Sequence, residues 1–385
     1  MQERVSLKTP VLCLLQEADM IDHKISVCMI VKNEEEHIGD ALSSVMPIAY
    51  EIIVVDHGSI DNTRNISEQW GAKVYTREWN NSFSDARNYS ISKATGDFIL
   101  VMDADERLVI NEEALKEACE FMKGNSTSSV RVEIENITDN DSTTSWVTRF
   151  LPNHSNLRYE GRIHEQVMLN KGISPTWDSS IKLIHYGYKT ENIQTKKKAE
   201  RNIELLQEEL ENDPKNPYLH FQTGRAFQQA SNWKEAFEFY LNSYQLINRN
   251  VPPLYYSTLV LHMIKCSVEL KQWDNFLKYV SVALEIYPDY TDLYYIYGVG
   301  LIEARNIDWF SQIPQAFESC LAIGEADQKK YETTIGTGTF KAHYNLGLYY
   351  ELIGDRDSSV YHYQESSNYG FLPAKERLNL TNYKE

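Results

Sequence analysis

Phe98-Ile99-Leu100-Val101-Met102-Asp103-Ala104-Asp105-Glu106-Arg107 is the stretch on which the reading of the fold turns. An unbroken apolar run that stops on two carboxylates one residue apart predicts a strand buried on both faces, with its acids at the carboxyl edge of a sheet. Open α/β sheets bind ligands at that edge. Asp is a poor strand former, and two of them around a single Ala repel unless a positive group lies between. A divalent cation, Mg²⁺ or Mn²⁺, meets that need, because hard ions take carboxylate oxygens and bring substrate phosphates as further ligands. The alternative is a plain strand end with Asp105 capping a turn, and the flanking segments discriminate.

Upstream, Ile25 to Val31 reads as a strand broken by Lys32-Asn33-Glu34-Glu35-Glu36, after which Ile38, Ala41, Leu42 and Val45 recur at helical spacing. Glu51 to Val55 forms a second strand ending at Asp56. His57-Gly58-Ser59-Ile60-Asp61-Asn62-Thr63 is turn chemistry leading into another helix. Ala72 to Tyr75 is a short third strand. This rhythm predicts a mostly parallel α/β sheet. Polar residues follow three strand ends: Asn33 and Glu34, Asp56, then Asp103 and Asp105. Neither GxxxxGK[ST] nor GxGxxG follows a strand, which removes the two phosphate-loop alternatives.

Taken together, Ile30-Val31-Lys32-Asn33-Glu34, Ile53 to Thr63, Ala86-Arg87-Asn88 and Asp103-Ala104-Asp105 resemble the successive signatures of family 2 glycosyltransferases of the GT-A fold, over most of residues 25–110. The resemblance implies that the first strand end (Val31, Asn33, Glu34) and Asp56 hold the nucleoside of a nucleotide-sugar donor, with Arg87 near the nucleotide. Asp103, with Ala104 beside it, would face the ribose or share the metal, and Asp105 would coordinate Mg²⁺ or Mn²⁺. Many members carry a second acid where this chain has His57. A neutral imidazole accepts or donates, so uridine is allowed but not enforced. Arg87 is suited to a bidentate pairing with a diphosphate or with Asp85; a structural pairing with a nearby acid is the plainer alternative.

Beyond the acidic pair, Glu112 to Met122 reads as an amphipathic helix, Val130 to Ile134 as a half-exposed strand, and Asp139 to Ser142 as a hairpin turn. Tyr159-Glu160-Gly161-Arg162-Ile163-His164-Glu165-Gln166-Val167 puts two titratable side chains into a strand-like stretch. An inverting transfer needs a base for the acceptor proton. Glu165 is the candidate base and His164 its orienter, and related family 2 enzymes carry a G-x-x-H-E segment here. A surface Glu beside a hydrogen-bonded His is the alternative. His185, after another apolar run, is the candidate that completes the metal sphere of Asp105, or else a satisfied core His. Lys196-Lys197-Lys198 with Arg201 reads as the solvated first turn of a helix, with a lid over the diphosphate as the sharper alternative.

From residue 198 the pattern changes to repeats. Gly224 to Ala236 and Gly347 to Ser359 both span twelve positions among recurring aromatics. Small residues there let paired helices approach while aromatics fill the gaps. These segments resemble tetratricopeptide repeats, with weaker copies over Tyr256 to Leu284, Trp273 in its linker, and Tyr294 to Leu321. The expected organisation is an N-terminal arm (1–24), an α/β GT-A domain with a Rossmann-like sheet (25–197) and an all-α repeat domain (198–385). This architecture resembles the cytosolic glycosyltransferases that modify Cys or Ser of bacteriocin precursor peptides, of the sublancin and thurandacin type. It implies transfer of a hexose, with glucose from UDP-glucose the first expectation, to a peptide acceptor. Two rivals stand beside it: transfer to a lipopolysaccharide or cell-wall saccharide, and a non-catalytic repeat scaffold.

Composition bounds these readings. The 385 residues suffice for two domains, and 42% hydrophobic with 24% charged residues is ordinary for a globular protein. A formal net charge of −17 disfavours a nucleic acid or an anionic membrane as partner. The five cysteines show no paired spacing and read as reduced thiols, and no apolar run is long enough to span a bilayer, so a cytoplasmic location is expected. A homodimer is allowed and not specified.

Overall fold

In a computed structural model of the chain, the structure describes residues 23–137, 142–170, 172–186 and 192–382. The first half alternates: β1 (Ile25–Val31), α1 (Ile38–Val45), β2 (Ala49–Asp56), α2 (Thr63–Gln69), β3 (Lys73–Thr76), α3 (Phe83–Ile91), β4 (Phe98–Val101), β5 (Glu106–Val109) and α4 (Glu112–Gly124). It then turns to β structure: β6 (Ser129–Ile137), β7 (Ser142–Pro152), β8 (Arg158–Glu160), β9 (Gln166–Leu169), β10 (Gly172–Ile173) and β11 (Thr176–Tyr186). Helices follow: α5 (Asn192–Asn212), α6 (Pro217–Gln229), α7 (Trp233–Leu246), α8 (Tyr256–Glu269), α9 (Trp273–Ile286), α10 (Thr291–Ala304) and α11 (Ile313–Ile323). After the two-residue β12 (Thr333–Thr334) come α12 (Phe340–Ile353), α13 (Arg356–Asn368) and α14 (Leu372–Asn382).

The main sheet has the order β3-β2-β1-β4-β7-β6-β11-β5, with β12 added against β7. Strands β3, β2, β1 and β4 are mutually parallel, whereas β7 runs antiparallel to both β4 and β6, which makes β4 and β6 parallel. The pair β6 and β11 is parallel as well. The carboxyl ends of β1, β2, β4, β6 and β11 therefore share one edge. This is the Rossmann-like, mostly parallel sheet that the strand and helix rhythm predicts.

All four residues of β4 are buried. Phe98 and Leu100 join the core layer that includes α1 and α4, while Ile99 and Val101 join a second layer with Cys28, Ile53, Tyr159 and Val167. Full burial of each such side chain is worth roughly 1.5–3 kcal/mol, so β4 anchors the sheet centre and fixes the height at which Asp103 emerges. A small antiparallel sheet, β8 to β10, covers the second face beside α3.

In the helical half, Gly224 and Gly347 play the same role. A Cβ added at Gly224 would lie 2.5 Å from the Tyr240 ring, and one at Gly347 2.5 Å from the Tyr363 ring. Both glycines thus seat the aromatic of the following helix, and Ser359 Oγ donates to the Gly347 carbonyl (3.0 Å). The tyrosine hydroxyls end on acceptors of the preceding helix, Gln228 and Glu351. Successive helices pack in the pairs α6/α7, α8/α9, α10/α11 and α12/α13, a tetratricopeptide-like array. Trp273 is the first residue of α9, not part of a linker, just as Trp233 opens α7.

Candidate active site

The end of β1 and the loop after β2 are locked together before any ligand is considered. The Val31 carbonyl accepts from the His57 amide (3.0 Å). Asn33 has φ 57°, a conformation Asn tolerates better than most residues. Its amide donates to Ser59 Oγ and its Oδ1 accepts from the Ile60 amide, both at 2.9 Å. The Glu34 amide donates to Thr63 Oγ1 (2.7 Å). Asp56, buried at the end of β2, accepts the Ser59 amide on both oxygens (3.1 and 3.3 Å) and so closes the turn. Beside it His57 is 6% exposed and packs edge to face with Trp79. Burial depresses the basicity of that imidazole, which keeps it neutral.

Past β4 the acids separate. Asp103 receives two guanidinium groups: Arg87 at 3.0 Å and Arg149 at 2.6 Å. Behind it Glu106 accepts the Asp103 amide (2.8 Å) and pairs with Arg149 (3.1 Å). Arg87 in turn ion-pairs through Nε with Glu165. The result is a chain of alternating charge, Glu165–Arg87–Asp103–Arg149–Glu106, in which Arg87 is 5% and Arg149 7% exposed. Burial opposes ionisation of Asp103, yet the arginines outweigh it and hold its carboxyl far below the usual range. Glu106 shows the opposite balance: burial, only partly offset by Arg149 and reinforced by Asp103, raises its carboxyl to about 7. Arg87 and Arg149 stay charged, since the neighbouring carboxylates exceed the cost of burial.

Asp105 points to a different partner. Its Oδ2 lies 3.1 Å from His185 Nε2, near the end of β11, and His185 Nδ1 is 2.9 Å from Asn136 Oδ1, near the end of β6. Ala104, between the two acids, is buried, and its carbonyl accepts from Arg107 (3.1 Å). With Nδ1 engaged by Asn136, the other imidazole nitrogen faces a carboxylate oxygen, a meeting that requires a proton or a cation between them. A hard or borderline divalent ion fits that O and N donor pair. Among the described residues no group of three His, Cys, Asp or Glu side chains forms a metal cage.

Residues 161–164 form an irregular loop between β8 and β9, not the strand expected from their sequence. Gly161 (φ 99°) and His164 (φ 53°) occupy the left-handed region, which no strand accommodates. Burial, with Arg225 adding to it, lowers His164 to about 4, so its imidazole is neutral near pH 7. Arg87, set on α3, pairs with neither of the acids nearest in sequence; Asp85 is taken by Arg77 (2.6 Å). The side chains of Lys196 to Lys198, most of the stretch expected as a hairpin turn (Asp139 to Ser142) and the arm up to residue 22 lie outside what the structure describes. Arg149 and Glu106 were missed by the sequence reading. A charge inside the otherwise strand-like Thr148-Arg149-Phe150-Leu151, which pairs with β4, was the available signal.

The model of glycosyl transferase family 2 matches residues 26–182, which take in most of the main sheet and the edge residues described above except His185. Over that span the chain is similar to family 2 glycosyltransferases. The chain is 33% identical over 221 residues to a TPR repeat-containing protein of Synechococcus elongatus, covering 55% of this chain and 54% of that one. It is 29% identical over 297 residues to the SPbeta prophage-derived glycosyltransferase SunS of Bacillus subtilis, covering 73% of this chain and 68% of that one. An uncharacterized glycosyltransferase of Rickettsia typhi is 41% identical over 85 residues, 22% of this chain and 29% of that one. The chain thus spans about half the length of the cyanobacterial relative and two thirds of SunS. No helix among the described residues is long and apolar enough to cross a membrane.

Proposed function

We propose that this protein is a metal-dependent inverting glycosyltransferase that moves a hexose from a nucleotide sugar to the Cys or Ser side chain of a peptide. The observation that carries the reading is Arg87, which joins Glu165 to Asp103 at the carboxyl edge of the sheet. In this reading the strand ends at Val31, Asn33, Glu34 and Asp56 form the nucleoside side, with Trp79 and the neutral His57 beside the base. Asp103 orients the ribose, fixed from behind by Arg149 and Glu106. Asp105 and His185 would hold Mg²⁺ or Mn²⁺, which supplies charge neutralisation for the departing diphosphate.

Glu165 takes the proton from the acceptor thiol or hydroxyl. The freed electron pair attacks the anomeric carbon from the face opposite the diphosphate, whose C–O bond breaks with its electrons going to the leaving group. Arg87 shares its guanidinium between Glu165 and Asp103 and so sets the distance between base and donor. UDP-glucose is the first donor to try, and a peptide is favoured as acceptor by the aromatic-rich repeat array and by the resemblance to bacteriocin-modifying enzymes. A cytoplasmic site of action suits the four buried, unpaired cysteines among the described residues. The test is a panel of nucleotide sugars with and without Mn²⁺, read first as melting-temperature shifts and then as hexose gain on Cys and Ser peptides by mass spectrometry. Stabilisation and transfer with one donor support the reading. Transfer only to lipid-linked saccharide would replace the acceptor class, and no donor response would favour a scaffold.

A further inference from the structure

The loop that carries Glu165 is held less by its own domain than by the first helices of the repeat array. Ile163, 6% exposed, is buried in a cluster with Leu205, Leu206 and Ala226, with Phe83 and Leu219 against it. Only Phe83 belongs to the catalytic domain. The His164 carbonyl accepts from Tyr218 Oη of α6 (3.3 Å), and the Arg162 amide donates to Glu209 of α5. The Arg162 side chain also pairs with Glu208, but both partners are largely exposed and such a pair contributes little. On the catalytic side the loop backbone has one described tie, the Phe83 amide to the Arg162 carbonyl (2.7 Å).

These contacts differ in weight. Burial of an Ile side chain outweighs a single neutral hydrogen bond. Ile163 is therefore the main anchor, and Tyr218 fixes the left-handed turn at His164 directly before Glu165. Without them, a loop already containing two left-handed residues keeps, among its described ties, only the two backbone hydrogen bonds at Arg162, the exposed Arg162–Glu208 pair and the Arg87 ion pair to hold its carboxylate in place.

We infer that α5 and α6 of the repeat array position Glu165, with Ile163 and Tyr218 as the positioning residues. The inference rests on the reading of Glu165 as the base. It makes the repeat array part of the catalytic unit: the helices that begin the acceptor-binding array also set the geometry of proton removal. A displaced base harms a hydroxyl acceptor more than a thiol, because a larger fraction of the thiol is already ionised near neutral pH. A merely loosened fold harms both alike.

The experiment uses the full chain carrying Ile163→Ala, Ile163→Val or Tyr218→Phe. Amide exchange, which needs no turnover, is expected to accelerate at residues 161–165 in Ile163→Ala and Tyr218→Phe while β4 stays protected. Transfer to a Ser peptide is expected to fall about tenfold or more, the scale of a small misplacement of a catalytic group, with a smaller fall on the matching Cys peptide. Donor binding stays within about twofold of the parent protein, since the nucleoside side is untouched, and Ile163→Val, which refills most of the pocket, stays near the parent in both measurements. Unchanged exchange at 161–165, or equal loss on the two acceptors, would overturn the inference. A parent protein that transfers no hexose, with the exchange result as expected, would instead strike the functional reading and leave the loop anchoring standing.

Discussion

Replacing Arg149 by Met tests the buried charge chain behind the site. Arg149 touches Asp103 at 2.6 Å and Glu106 at 3.1 Å, and both it and Glu106 are almost fully buried. Met fills much of the volume but leaves the three carboxylates Glu165, Asp103 and Glu106 with the one guanidinium of Arg87. Asp103 keeps Arg87, whereas Glu106 retains, among the described residues, the Asp103 amide as its side-chain partner. Removing one partner from a buried ion pair typically costs about 3–5 kcal/mol.

That cost depends on pH, and its sign follows from Glu106. Burial raises its carboxyl from 4.5 to about 7, so the folded protein retains a proton that the unfolded chain has released across that window. Stability from this group is present below the unfolded value and falls as pH rises through the folded one. Loss of Arg149 removes the charge that restrains the rise, so the window extends upward. Each pH unit adds roughly 1.4 kcal/mol of penalty. Arg149→Met should therefore melt lower than the parent by on the order of 10 °C at pH 8 and by clearly less at pH 6. Thermal unfolding followed by tryptophan fluorescence reads this directly. The double variant Arg149→Met with Glu106→Gln should recover most of the loss at pH 8, because no orphaned charge remains. A single variant as stable as the parent at both pH values, or a double variant worse than the single, would refute the charge-chain account.

Further outcomes are expected. Glu165→Gln should lower Ser glycosylation more than Cys glycosylation, measured as initial rates on paired peptides; equal loss would count against Glu165 as the base. Gly224→Val should destabilise the helical array by about 2 kcal/mol or more, because its Cβ meets the Tyr240 ring at 2.5 Å, and an unchanged helical melting curve would contradict that packing. His57→Phe should leave the fold intact but alter discrimination between uridine and guanosine diphosphate sugars in binding assays, and unaltered preference would remove His57 from the nucleobase side.

Much of this was legible locally. The apolar run of β4, the turn residues after β1 and β2, and the helical spacing of Ile38, Ala41, Leu42 and Val45 are statements a chain makes about itself within ten residues. They suffice for a parallel sheet with acids at its edge, and the glycine and aromatic spacing suffices for paired helices. What escaped depends on contacts between distant segments. Arg149 reaches Asp103 because β7 inserts antiparallel between β4 and β6, a strand order that periodicity does not encode. The separation of Asp103, held by arginines, from Asp105, facing His185, is equally invisible in Asp103-Ala104-Asp105. The pairing of β12 with Thr143 and Thr144 of β7, by which the repeat array adds a strand to the catalytic sheet, involves two threonines without any strand pattern around them. The stretch holding His164 and Glu165 is strand-like in sequence, but the left-handed turns at Gly161 and His164 serve tertiary anchoring and override that preference.

The most direct test of the account sets the parent protein beside Asp105→Asn, each incubated with UDP-glucose, Mn²⁺ and a Cys-containing peptide and analysed by mass spectrometry. The account predicts hexose addition by the parent, its loss on chelation of the metal, and no addition by the variant despite an unchanged melting curve. Undiminished turnover by Asp105→Asn, or transfer indifferent to chelation, would contradict it.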